Sequence, residues 1–170
     1  TPPACLTADF DRDLGNSTLS DQTLPAGHEG PTWTPDGRAL LALVSDGGAT
    51  SLRRFARAVG APTTVVGGAR TVTAFAAGGG EGRLVCAATD HASPAELFAV
   101  APDGAERPLT ACNAAFLRGR AVARPEAFRF TGANGDEVDG WLLRPPGGDP
   151  AAPAPLIVEI HGGPHAQYGA

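Results

Sequence analysis

The chain contains no lysine and no methionine, and all 13 of its basic residues are arginine. No basic cluster exceeds Arg53-Arg54, and the net charge is −5. A phosphate backbone needs a concentrated basic face, so nucleic acid is excluded as a partner. The preference for arginine reads as a genomic bias without functional content. Cysteine is scarce. Cys5, Cys86 and Cys112 make an odd number with no C-x-x-C pair. This argues against a disulfide framework or a zinc site and favours a reducing, cytoplasmic compartment. No apolar run approaches the roughly 18–20 residues of a membrane span, so no membrane partner is expected. Asp9, Asp11 and Asp13 alternate as in a calcium loop. The glycine and glutamate that such a loop requires are replaced by Leu14 and Ser20. Neither a metal nor a cofactor is expected. The chain begins at Thr1 without a methionine and has no visible signal peptide. It stops at Ala170, just after a strand and turn. The expectation is an internal fragment, truncated at both ends.

What the chain has in quantity is turn-formers, 23 glycines and 16 prolines, spread along its length. With 42% apolar residues to build a core, this composition suits an all-β protein with many turns. Pro31 to Gly37 is followed by Arg38 to Asp46, and Asp36-Gly37 between two apolar strands is a hairpin signal. Asp46-Gly47-Gly48 ends the second strand, and Ser51 to Ala56 and Thr63 to Val66 supply two more. The plan then repeats. Thr71 to Ala76, Arg83 to Asp90, Glu96 to Val100 and Arg107 to Thr110 are strands, with turns at Gly78-Gly79-Gly80 and Asp103-Gly104. Ser45-Asp46 and Thr89-Asp90 hold corresponding places 44 positions apart. A four-stranded unit of roughly 40–45 residues is the period of a β-propeller blade. An irregular β-sandwich is the competing architecture. Ala4 to Asp11 is expected to be the end of a further strand. Two blades and an end cannot close a propeller of the usual ~4–8.

Residues 111–125 form a connection. Glu126 to Thr131 and Glu137 to Arg144 flank Asn134-Gly135, a strong hairpin signal. Phe128 and Phe130 alternate with polar neighbours, which predicts one buried face and one wet face. A loop rich in Gly, Pro and Ala leads to Pro155-Leu-Ile-Val-Glu-Ile160, predicted to be a buried strand, and then to His161-Gly162-Gly163-Pro164-His165. A His-Gly-Gly turn after such a strand has the layout of an α/β-hydrolase oxyanion loop, or of a tight turn after any parallel strand. In the first case the glycines supply unusual backbone conformations and bring an N–H close to a substrate carbonyl.

Asp136 to Pro146, the proline-flanked gap and Pro155 to Gly169 together closely resemble the prolyl oligopeptidase family of serine peptidases. The His-Gly-Gly-Pro-His form is most similar to its acylaminoacyl-peptidase branch. This resemblance covers about the last quarter of the chain. It implies all-β propeller blades over residues 1–115, a linker over 116–125, and the start of an α/β-hydrolase domain over 126–170. It implies that the Gly163 backbone N–H is an oxyanion-hole donor and that His161 and Gly162 only shape the loop. The nucleophile and its triad partners are expected outside these residues. There is no Gly-x-Ser-x-Gly, and Ser17, Ser20, Ser45, Ser51 and Ser93 all fall in the propeller-like part. The implied substrates are short or N-acylated peptides, and a homo-oligomer is compatible with the resemblance. Two other functions compete with this one. An esterase or lipase of the same fold is disfavoured because Pro164 replaces a further loop glycine. A non-catalytic propeller that binds a partner would lack the nucleophile altogether.

Overall fold

The computed structural model describes residues 5, 7–19, 30–58, 60–78, 83–149, 151–163 and 165–169. Eight strands are linked by hydrogen bonds as two successive antiparallel meanders. The first comprises β1 (Thr32–Trp33), β2 (Ala39–Asp46), β3 (Ala49–Ala56) and β4 (Thr63–Val66). The second comprises β5 (Thr71–Gly78), β6 (Arg83–Asp90), β7 (Ser93–Val100) and β8 (Glu106–Pro108). A single parallel pairing, Thr50 with Thr71, joins the two. The four-stranded repeat is therefore real: β2 and β6, and likewise β3 and β7, start and stop 44 positions apart. Among the described residues the sheet does not close into a ring.

Local chemistry explains the turns. Gly47 and Gly48 both have positive φ, +58° and +75°, between the closing pair Asp46 and Ala49. Two left-handed residues make the tight turn whose twist matches that of the flanking strands. The strand β7 starts three residues earlier than the sequence suggests, and so includes Pro94. A register shift between Ala88 and Asp90 leaves Pro94 at an irregularity, where its missing N–H breaks no ladder. Residues 79–82, and with them most of the expected glycine turn, lie outside the described residues. Near the start of the chain, Thr7 to Asp9 form a turn where a strand end was expected, and residues 1–4 and 6 are outside the described set.

The main core lies between the meanders. Leu41, Leu43, Leu52 and Val66 of the first pack with Val72, Cys86, Ala88 and Val100 of the second. Leu43 and Leu52 face each other across the ladder and are 1% and 0% exposed. Burial of such a side chain contributes roughly 1.5–3 kcal/mol. The other face of the first meander, with Ala42, Val44 and Phe55, is covered by Phe10. The Phe10 and Phe55 rings meet edge to face at 5.6 Å.

Past β8 the chain makes a short helix, α1 (Ala114–Leu117), inside the expected connection. Glu96 on β7 holds its approach. The carboxylate accepts from the Thr110 hydroxyl, the Cys112 N–H (3.0 Å), the Asn113 N–H (2.8 Å) and the Asn113 side-chain amide (3.0 Å). These bonds, with Thr110 foremost, hold its pKa down at about 2. The strands β9 (Glu126–Thr131) and β10 (Glu137–Leu142) then pair along their full length as a separate hairpin. Gly135 takes φ +89° in its loop. Among the described residues, no helix is long and apolar enough to cross a membrane.

Two expectations are corrected here. The hairpin does not bury one face: all of β9 is exposed, including Phe128 and Phe130. The two rings stack on each other 6.1 Å apart, and Phe128 lies over Gly140 on the facing strand. Local aromatic packing stands in for a second layer. The predicted strand over 155–160 is not a strand either. Residues 153–163 carry no regular structure, and Ile157 and Ile160 are 92% and 89% exposed. Strand residues need a neighbouring backbone to exchange hydrogen bonds, and among the described residues this segment has none.

Candidate functional site

His161, Gly162 and Gly163 lie at the end of that exposed segment. The His161 ring stacks on Tyr168, with centroids 4.9 Å apart and planes inclined by 27°. Its Nδ1 is 2.9 Å from the Gly162 carbonyl. Among the described residues, the Gly163 N–H donates to no backbone carbonyl. Neither Gly162 nor Gly163 has positive φ. Their expected use of conformations closed to other residues is therefore corrected. At Gly162 a Cβ would meet nothing within 4 Å, and at Gly163 it would approach the His165 N to 3.4 Å. Neither left-handed geometry nor close packing therefore requires glycine at these two positions. Pro164 lies outside the described residues.

The residues just beyond the loop return to the first meander. Gln167 forms a parallel bridge with Thr18. Its N–H donates to the Ser17 carbonyl (3.0 Å), and its carbonyl accepts from the Leu19 N–H (2.9 Å). Its side-chain amide reaches the turn between β2 and β3. Oε1 accepts from the Gly48 N–H (3.2 Å), and Nε2 donates to the Ala49 carbonyl (3.1 Å) and to Thr18 Oγ1 (3.0 Å). Beneath it lies a polar network. Thr18 and Thr50 hydroxyls are 3.1 Å apart, and Thr50 donates to Asn16 Oδ1 (3.1 Å). Ser45 Oγ, 3.0 Å from the Thr50 hydroxyl, accepts from the Ser17 N–H at 2.9 Å. Ser45 and Thr50 are buried, and no buried side-chain polar atom among the described residues is left unpartnered. The seam closes by backbone approach. Gly48 lies against the Trp141 ring, and a Cβ on Gly169 would overlap the Gly48 carbonyl.

An open cleft of about 450 Å³ runs along this seam. Arg12, Asp13, Ser17 and Asp46 line one side, and His165, Ala166 and Gln167 line the other. Arg12 Nε is 2.8 Å from Asp46 Oδ1, and Arg53 lies 3.9 Å from Asp46 Oδ2. The Arg12–Asp46 pair is well exposed, so it shapes the wall more than it adds stability. The cleft is polar, open, and bounded by the residues that follow the Gly-Gly loop. Sequence reasoning reached His161, Gly162 and Gly163 but missed Gln167, Asn16 and Trp141. The available signal was the second glycine of Gly47-Gly48 together with Gly169, since both mark close backbone approach.

No family model matches the chain. It is 28% identical over 165 residues to the uncharacterized peptidase YuxL of Bacillus subtilis (strain 168), covering 97% of this chain and 25% of that protein. In fold it is similar to an acylaminoacyl peptidase in complex with Z-Gly-Gly-Phe-chloromethyl ketone. The TM-score is 0.72 and the identity 24%, over 96% of this chain and 22% of that one. The Pyrococcus horikoshii acylaminoacyl peptidase in its orthorhombic crystal form gives 0.71 at 24% identity, with the same coverage of 96% and 22%. The AtxE2 isopeptidase with Astexin3-dC4 bound gives 0.52 at 19%, over 72% of this chain and 20% of that one. The chain thus spans about a quarter of the curated relative it matches. The resemblance carried by its last quarter extends, in these comparisons, over nearly the whole chain to peptidases. Its mostly β fold is similar to that of acylaminoacyl peptidases.

Proposed function

We propose that the chain is part of a serine peptidase that hydrolyses short or N-acylated peptides. In this reading residues 1–115 are late propeller blades, 116–125 are a linker, and 126–170 open an α/β-hydrolase domain. The Gly163 N–H is an oxyanion-hole donor, and His161 and Gly162 shape the loop that presents it. The developing negative charge on the scissile carbonyl oxygen is stabilised by a donor already in place before the reaction. The serine, aspartate and histidine that do the bond-making lie outside these 170 residues, so the chain by itself is inactive. The observation that carries the reading is the similarity of nearly the whole chain to a peptidase, in a sequence that also holds the His161-Gly162-Gly163 motif.

The test uses the full-length protein on acyl-peptide anilides and on p-nitrophenyl esters. Peptide turnover is expected. Gly163→Pro, which removes the N–H, should lower kcat by roughly 10²–10³. Circular dichroism verifies that the variant folds, since proline also restrains the loop. Ester hydrolysis without peptide turnover would make the protein an esterase. A well-folded Gly163→Pro variant with unchanged kcat would remove Gly163 from the mechanism.

A further inference from the structure

We propose that Gln167 is a positioning residue, clamping the segment that follows His161-Gly162-Gly163 to the turn between β2 and β3 and so setting where the Gly163 N–H points. The inference rests on the proposed role of Gly163. Gln167 makes five hydrogen bonds, two through its backbone and three through its amide. The amide bonds bridge 118, 119 and 149 positions of chain, which makes them tertiary anchors rather than local turns. Their partners are fixed in advance. The left-handed Gly48 presents its N–H outward from a tight turn, and Thr18 is oriented by Thr50 and Asn16.

Apart from the His161–Tyr168 ring stack, the segment carrying the loop has little else to hold it. Residues 153–163 are exposed and unpaired in any ladder, so their position is set by what lies at either end. Gln167 is four residues beyond Gly163, at most about 13–14 Å of extended chain, so the clamp lies within one short segment of the donor. Misplacing a reacting group by about 1 Å can cost about 10²-fold in rate. On this view the β2–β3 turn, through Gly48 and Ala49, and the neighbouring Thr18 hold part of the catalytic apparatus.

The experiment compares full-length wild type with Gln167→Met, Gln167→Glu and Thr18→Val. Gln167→Met keeps the volume and removes all three amide bonds; kcat should fall roughly 10–10²-fold with KM changed less than about twofold. Thr18→Val removes one acceptor and should show a smaller fall of the same kind. It keeps the test open should Gln167→Met not fold. Gln167→Glu supplies a signature that a purely structural role lacks. The carboxylate cannot donate to the Ala49 carbonyl, but its protonated form can, so its kcat relative to wild type should rise as the pH falls. Folded variants with wild-type kcat, or a Gln167→Glu ratio flat with pH, would overturn the proposal. Hydrogen exchange provides a readout separate from activity. The Gly48 and Leu19 amides should exchange faster in Gln167→Met, and unchanged protection would overturn the clamp itself. If wild type shows no turnover but Gln167→Met loses this protection, the peptidase reading and the catalytic role fail while the clamp stands.

Discussion

Cys86 illustrates how much one position depends on its neighbours. It is 1% exposed and lies opposite Phe75 on β5 and Phe98 on β7. Burial raises its thiol pKa to about 11, with nearby Glu106 adding to the effect. The thiolate is the reactive form, so this cysteine is inert twice over, shielded and protonated. Cys5 and Cys112 are exposed free thiols. At pH 8 a thiol reagent should modify two cysteines of the native chain quickly and the third only in denaturant. Three equally fast thiols would show that the core between the meanders is not packed as described.

At the scale of elements, Glu96 shows how a strand fixes the path of the chain that leaves it. Its carboxylate gathers the hydroxyl of Thr110 and the amides of Cys112 and Asn113 just before α1. Its pKa is lowered from 4.5 to about 2, so the ionised form is favoured in the folded state. The contribution to stability is fully present above the unfolded pKa and is lost as the pH falls through the folded one. The difference in Tm between wild type and Glu96→Gln should therefore be constant above about pH 5 and shrink towards pH 2. A difference that does not change over that window would detach Glu96 from the turn. No periodicity in the sequence marks this residue, because its partners come from the loop beyond β8.

The whole molecule leaves apolar surface uncovered. Leu156, Ile157, Val158 and Ile160 are all strongly exposed in one run, and Phe128 and Phe130 are half-exposed on the separate hairpin. A contiguous apolar, β-prone segment with unpaired backbone is a template for association. The 170-residue chain should self-associate as its concentration rises, seen by size exclusion with light scattering. The double substitution Ile157→Asp with Ile160→Asp should reduce this. A single monomer peak at every concentration would show that the segment is covered by something other than a partner strand.

The pattern of the sequence determined the local plan: short apolar runs, Gly-rich and Asp-Gly turns between them, and a repeat at 44 positions that β2, β3, β6 and β7 reproduce. These are legible because apolar runs and positive-φ turn glycines act within a few residues of chain. The motif His161-Gly-Gly-Pro164 was legible as a contiguous run of residues, although its glycines do not take positive φ. Only the tertiary structure decided whether a strand-like run becomes a strand. Residues 155–160 have the composition, but a ladder needs a second backbone at about 4.8 Å, and composition cannot supply one. It also decided that Gln167, unremarkable in sequence, meets Gly48, Ala49 and Thr18. Hydrogen bonds across more than a hundred residues depend on how the two meanders and the returning segment pack, and no local pattern encodes them.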